Sequence, residues 1–404
     1  VYYRKGKLKM KQQFLRKILL FVLAISMLLT ATAIPAFAIS GIIESENVGF
    51  EIRLLSIFNA KLSEMEAIET DTNFRVSNIK SAVDFAGNEY YIAECSPTGY
   101  MIFNVNTGVF AEYSPSAPSP YLGYFEDLYY CGPTFYYVEG TDGDLEHLIV
   151  SDEIIVGSEK ANYVESCQQY YNTLVADTNQ LVVNYLDGQY GNQSFAQVAT
   201  AAMSAQEEVQ STTYGYLKNY EFFFNMEHCG YYCPPNSGGI CGYIGLGMLI
   251  AYKEKYNSSA NYMNDSYWSD VAHNNLKGGT ASLAWHLRSN HGSEDSTYST
   301  TIKETSESYF SGRGVTVKHV SKWWGFFNNN TIMNSIDADN PVLLFGNLFN
   351  PQNADDNINH AVVVYKYTDH SGLFGETNFT THYGWDGYEN IYVSGTFGSI
   401  YILE

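Results

Sequence analysis

Positive charge is scarce in this sequence. Lys and Arg number 22 against 43 Asp and Glu, which gives a formal net charge of −21. Seven of the 22 cations lie within the first 17 residues, so the chain without residues 1–38 has 15 cations against 43 acids and a formal net charge of −28. Such a chain repels nucleic-acid phosphates and anionic lipid surfaces. The composition therefore argues against nucleic acid as a partner and favours a soluble secreted protein.

The apolar stretch near the N-terminus is short. ILLFVLAISMLLTA (18–31) falls below the roughly 20 residues that a membrane span needs. It follows the cationic residues and precedes Ala36-Phe37-Ala38, the small-x-small pattern of a signal-peptidase site. We therefore expect residues 1–38 to be a signal peptide that is cleaved after Ala38, with an uncleaved anchor as the alternative. The mature protein would be secreted, without a stable membrane anchor.

Cysteine is also sparse, with six residues that all follow the signal peptide. If one of them is a free nucleophile, the other five cannot all pair within the chain, so a pure disulfide scaffold is not expected. The spacing of Cys229, Cys233 and Cys241 is not the close pair and distant second pair of a usual zinc site. We expect no metal here, and either a Cys229–Cys233 disulfide or free thiols.

Cys241 stands at the start of an apolar segment, GGICGYIGLGMLIAYKEKY (238–256). This segment predicts a helix, whose N-terminus presents unpaired N–H groups and partial positive charge that favour a reactive thiolate. Far downstream, His360 opens HAVVVYKY (360–367), which predicts a buried strand. An imidazole fixed on such a strand can carry the proton for a thiol nucleophile. The two residues together predict an enzyme with a cysteine nucleophile.

Composition divides the rest of the chain. Residues 39–150 hold short aromatic runs between turn residues, and YMIFNV (100–105) followed by VFAEY (109–113) predicts a β-hairpin. The stretch 188–215 is polar and weakly hydrophobic, as an exposed connector or processing segment would be. From about residue 216 onward, predicted helices come first and antiparallel strands follow, which is an α+β order.

The order of these features resembles that of the papain-like cysteine peptidases. A helix begins at Cys241, His360 opens a buried strand later, and THYGWDG (381–387) supplies an aromatic-Gly segment after it. The most similar branches are the secreted bacterial streptopain-like and bacteriocin-leader-peptidase-like enzymes. The similarity covers residues 229–404 in order and spacing, and it implies a catalytic domain with a helical part and an antiparallel sheet.

The resemblance also implies a role for each matching residue. Cys241 matches the nucleophile, which attacks a scissile carbonyl to form a thioester, and His360 matches the general base and acid. The group that orients the imidazole would be His382 by position or Asp386 by chemistry, since a carboxylate stabilises an imidazolium directly.

The oxyanion donor departs from the family pattern. Related enzymes often have Gln about six residues before the cysteine, where this chain has Pro235. Asn236 is the nearest amide and could donate to the oxyanion beside the backbone N–H of Cys241.

We expect a secreted cysteine peptidase precursor that cleaves proteins or peptides without a metal or organic cofactor. Secreted papain-like peptidases are commonly zymogens, so the N-terminal part would be a small β-containing pro-region that inhibits the enzyme, with a permanent accessory domain as the alternative. The alternative functions are a transglutaminase-like acyl transferase and a catalytically inactive secreted binding or adhesion protein on a peptidase fold. The expected divisions are signal peptide 1–38, pro-region or accessory domain with connector 39–215, and papain-like catalytic domain 216–404.

Overall fold

The computed structural model describes twelve stretches of the chain and parts of residues 54–66. These are residues 73–104, 109–172, 212–232, 239–257, 261–292, 298–315, 317–321, 329–350, 352, 357–370, 377–394 and 399–403. The predicted signal peptide and Asn236 lie outside them. None of the described helices has the length and apolar character needed to cross a bilayer.

In the described part of the chain, fifteen strands form one sheet. They are β1 Arg75–Val83, β2 Glu89–Ser96, β3 Tyr100–Asn104, β4 Val109–Ser114, β5 Leu128–Tyr130, β6 Tyr136–Glu139, β7 Leu145–His147, β8 Ile154–Ile155, β9 Thr212–Tyr216, β10 Val317–Ser321, β11 Val342–Leu348, β12 Ile358–His370, β13 Thr377–His382, β14 Ile391–Ser394 and β15 Ser399–Leu403. The helices with both ends described are α1 Glu221–Phe224, α2 Cys241–Tyr256, α3 Leu283–His291, α4 Ser299–Tyr309 and α5 Asn329–Asp337. Short 3-10 helices span Gly157–Tyr163, Asp265–Tyr267 and Gly279–Ala281.

The sheet is mostly antiparallel. Its order is β10-β15-β11-β12-β13-β14-β4-β3-β2-β1-β5-β6-β7-β8, and β9 pairs with the second half of β12. Strands β1 and β5 form a parallel contact at Val83 and Tyr129. Strands β3 and β4 pair antiparallel, which confirms the predicted hairpin. The protein is therefore a mixed α and β structure on a large, mostly antiparallel sheet, in agreement with the α+β prediction at that level.

Strands from both ends of the chain meet at the pairing of β4 with β14. Ser114 Oγ at the end of β4 donates to the Asn390 carbonyl at 2.7 Å, and Ser394 Oγ on β14 donates to the Phe110 carbonyl. Both strands accordingly belong to one compact unit, which takes in the described residues between 77 and 172 and between 212 and 403. The boundary predicted near residue 215 falls within β9, and the division into pro-region and catalytic domain stays a prediction.

A buried carboxylate lies at this junction. Glu112 on β4 has no exposed surface and is paired in register with Val393 of β14. Tyr136 donates to it at 2.5 Å and Tyr130 at 3.3 Å, and the Tyr100 hydroxyl donates as well. Burial raises the pKa of Glu112 from its ordinary 4.5 to about 7, although the tyrosine hydrogen bonds oppose that rise.

Helix α2 runs through the core, with residues 241–253 all buried. It packs against β12 and β11 on the sheet side and against α3. Gly245 makes the close approach to the sheet possible, because a Cβ atom there would lie 2.3 Å from Leu343 Cδ1 on β11. This packing fixes the first residue of the helix beside β12.

Candidate active site

Cys241 is the first residue of α2, as the sequence predicts. Its side chain is buried, with the residue 3% exposed, and Sγ donates to the Asn359 carbonyl at 3.6 Å. The unpaired N–H groups of the first helical turn direct partial positive charge toward the sulfur. The position therefore suits a thiol that must become a thiolate.

His360 lies near the start of β12, where the backbone partner in β11 is Gly346. Its imidazole contacts the side chain of Cys241 within hydrogen-bonding reach. The ring is enclosed by Phe135 at 5.1 Å and by Trp385 at 6.1 Å between ring centroids, and the residue is 3% exposed. The structure thus brings the two principal candidate residues into contact across more than a hundred positions of sequence.

A charged neighbour of His360 comes from the N-terminal half. Glu153 Oε2 lies 3.1 Å from His360 Nε2, and the Tyr137 hydroxyl donates to Oε1 at 2.6 Å. Neither ring nitrogen of His360 has a partner at good hydrogen-bond angle among the described residues, so the contact with Glu153 is an ion pair. Sequence reasoning missed Glu153, because nothing in its local sequence marks it.

Glu153 and His360 each stabilise the charged form of the other. Burial lowers the pKa of His360, but the charge of Glu153 and the contact with Cys241 outweigh burial and raise that pKa to about 10. Burial raises the pKa of Glu153, but the ion pair with His360, the neighbouring His147 and the hydrogen bond from Tyr137 outweigh burial and lower that pKa to about 2. At neutral pH the site therefore holds an imidazolium and a carboxylate.

A second buried histidine, His147, also contacts the ring of His360, with 5.4 Å between the ring centroids. Its Nε2 lies 2.7 Å from the Thr134 carbonyl, and its Nδ1 accepts from the backbone N–H groups of Ile149 and Val150 at 3.1 and 2.9 Å. Burial, with a smaller contribution from the charge of His360, lowers the pKa of His147 to about 4. These contacts make His147 a neutral, fully satisfied structural residue.

His147, Glu153 and His360 offer ligand atoms within 4.8 Å of one another, which is close enough for a metal ion. A metal needs a free lone pair on each imidazole. Nδ1 of His147 already accepts two backbone hydrogen bonds, and its Nε2 proton is donated to a carbonyl. The histidine would have to abandon these bonds to bind a metal, so the trio is better described as an ion pair beside a neutral ring.

The structure does not bring His382 to His360. His382 Nε2 lies 3.2 Å from the Met226 carbonyl, and its Nδ1 accepts from the Gly384 N–H at 2.9 Å. Burial lowers the pKa of His382 to about 4. Both of its nitrogens are therefore engaged with backbone, and the ring fixes the turn that comes after β13.

The carboxylate of Asp386 also contacts residues other than His360. Its Oδ2 lies 3.3 Å from Nδ1 of His228, which is largely exposed, and accepts from the Tyr231 hydroxyl at 3.4 Å. Asn236, the candidate oxyanion donor, lies outside the described residues.

The other described cysteines have environments that favour an inert thiol. Burial raises the pKa of Cys95 to about 12 and raises that of Cys229, whose Sγ donates to the Gly384 carbonyl at 3.0 Å. Burial also raises the pKa of Cys131, which lies against the Cys167 thiol. Cys233 lies outside the described residues, so its predicted pairing with Cys229 stays a prediction.

The covering segment, residues 128–155, closes the site. Phe135, His147 and Glu153 within it all contact the ring of His360. Cys241 and His360 are each 3% exposed, so the described residues leave a peptide carbonyl little access to the sulfur in this conformation. The arrangement can support thiol nucleophile chemistry once the covering segment moves away.

The sequence matches no protein-family model and no curated protein. Among solved structures, it is similar to a fragment of prointerpain A from Prevotella intermedia, with 10% sequence identity and a TM-score of 0.32. That match covers 80% of this chain and 97% of the other. The similarity is weak and carries no argument about activity.

Proposed function

We propose that this chain is a secreted cysteine peptidase precursor with a papain-like catalytic domain in residues 216–404. The observation that supports the proposal most directly is the contact between Cys241, at the N-terminus of a buried helix, and His360, on a buried strand. With Glu153 withdrawn, the pKa of His360 would fall, and the neutral imidazole would take the proton of Cys241. The thiolate would attack the scissile carbonyl, the imidazolium would protonate the leaving amine, and water would hydrolyse the resulting thioester. The substrate class is a protein or peptide, and the residues need no metal or organic cofactor for these steps.

The N-terminal region, residues 39–215, is proposed as a pro-region. Its support is steric, because residues 128–155 lie over the Cys241–His360 pair and restrict substrate access to it. A secreted thiol peptidase needs such restraint until it has left the cell. The polar connector at 188–215 is proposed as the segment where cleavage releases the catalytic domain.

The test is a time course with purified residues 39–404 as wild type, Cys241→Ala and the control variant Cys95→Ala. Mass spectrometry follows both self-cleavage and alkylation of each cysteine at neutral pH. We expect cleavage between residues 150 and 230 in wild type and Cys95→Ala but none in Cys241→Ala, with Cys241 alkylated fastest once the chain is processed.

Each sample is also treated with an external protease, since activation need not be autocatalytic. Processed wild-type protein that neither cleaves peptides nor shows faster alkylation of Cys241 than of Cys95 would refute the proposal and favour the binding-protein alternative. Transfer of the acyl group to an added amine in preference to water would instead identify an acyl transferase.

A further inference from the structure

The carboxylate of Glu153 is held rigidly over the site. The residue directly precedes β8, and its backbone carbonyl accepts from the His147 N–H at 3.0 Å while its own N–H donates to the Val150 carbonyl at 3.2 Å. The Tyr137 hydroxyl fixes one carboxylate oxygen at 2.6 Å, which leaves the other to face His360 Nε2. These hydrogen bonds fix the position of the Glu153 side chain within the covering segment.

This ion pair is the charged contact that joins the covering segment to the candidate catalytic pair. The side chains of His360 and Glu153 are 3% and 15% exposed, so water screens their attraction little. The other neighbours from the same segment, Phe135 and the neutral His147, contribute ring contacts without net charge. Separation of the segment from the site must therefore break a buried ion pair.

We propose that Glu153 is the latch that keeps the precursor closed, by pairing with His360 and so holding residues 128–155 over Cys241. The proposal rests on the proposed function and names the regulation of the same site. While the latch is closed, the imidazolium is neutralised by Glu153 and the sulfur is covered. When the segment leaves, Glu153 leaves with it, and His360 can lose its proton to water and then take the proton of Cys241.

The chain supplies a matched control for Glu153. Glu139 on β6 also accepts from a tyrosine, Tyr129, at 2.7 Å and pairs with a cation, Lys160, at 2.8 Å. Both carboxylates belong to the same run of short strands, but Glu139 does not contact His360. Glu139→Gln therefore removes a more exposed ion pair of the same segment and leaves the site untouched.

The experiment measures how fast iodoacetamide labels Cys241 in intact residues 39–404, before any cleavage. Loss of one partner from a buried charge pair shifts an equilibrium by well over tenfold, so we expect Glu153→Gln to label at least about ten times faster than wild type. Glu139→Gln should label at the wild-type rate. Tyr137→Phe, which removes only the hydrogen bond that supports the carboxylate, should give a smaller increase, and it serves as the second variant if Glu153→Gln folds poorly.

Labelling of the intact chain does not require peptidase activity, so the latch and the proposed function can fail separately. Equal labelling of wild type, Glu153→Gln and Tyr137→Phe would overturn the latch even if the wild type processes itself. The latch would also be overturned if the processed enzyme retains residues 128–155 and Glu153→Gln lowers its kcat with the KM unchanged. Glu153 would then orient His360 during turnover. Faster labelling in a chain that never cleaves peptides would support the latch and refute only the peptidase.

Discussion

Replacement of Glu112 by Gln tests the energetics of the junction between β4 and β14. In wild type, the carboxyl group is fully buried beneath the hydroxyls of Tyr100, Tyr130 and Tyr136. Its pKa rises from 4.5 to about 7 because burial disfavours the charged form more than the tyrosine hydrogen bonds favour it. The Gln side chain has nearly the same shape and does not ionise, so the variant removes the titration while the packing is kept.

The sign and size of the effect come from linkage. Between pH 4.5 and about 7 the folded protein holds a proton on Glu112 that the unfolded chain has released, so the contribution of this residue to the free energy of unfolding falls as the pH rises. The loss is complete above pH 7, where the difference between the two pKa values corresponds to about 3 kcal/mol. Wild type should therefore lose about 3 kcal/mol more stability than Glu112→Gln between pH 4.5 and pH 8.

The assay is urea unfolding of residues 39–404 at pH 4.5, 6 and 8, in a Cys241→Ala background so that self-cleavage cannot interfere. Glu139→Gln is the control, since hydrogen bonds from Lys160 and Tyr129 lower the pKa of that carboxyl and keep it charged throughout this range. Parallel pH profiles for wild type and Glu112→Gln would refute the claim that the buried carboxyl titrates near neutrality.

Two further substitutions test the support around the site. Gly245→Ala should destabilise the protein by about 1–3 kcal/mol in thermal or urea unfolding, because its Cβ would lie 2.3 Å from Leu343 Cδ1. Gly247→Ala is its control and should be neutral or stabilising by up to about 1 kcal/mol, because no neighbouring atom lies closer than 3.9 Å; equal effects of the two would contradict the packing argument. His382→Phe should cost about 1–3 kcal/mol by leaving the buried Gly384 N–H without its acceptor, with the labelling rate of Cys241 unchanged. A change in labelling with no loss of stability would instead mean that His382 acts on the site.

Local sequence was sufficient to predict some elements. The helix that begins at Cys241, the strand that contains His360 and the hairpin of β3 and β4 each arise from a contiguous pattern of apolar and turn residues. The close approach of the helix to the sheet could be predicted as well, because glycine early in a helix is unfavourable unless packing requires it.

The environment of His360 could not be predicted in the same way. Glu153, Phe135 and His147 reach it only because distant strands share one sheet, and no local pattern encodes that arrangement. His382 was assigned a role by its position before the aromatic-Gly segment. The register of β13 instead places it opposite Val363, where its ring finds two backbone partners.

The pairing of β4 with β14 bears on the fate of the chain after cleavage. Ser114 and Asn390, which are joined at this pairing, lie 276 positions apart, so the strand contact closes a very long loop. Release of β4 would turn β14 from an interior strand into an edge with a row of unsatisfied N–H and C=O groups. Such an edge is a template for self-association. If cleavage releases β4, the processed form would therefore have to cover β14 again to avoid aggregation.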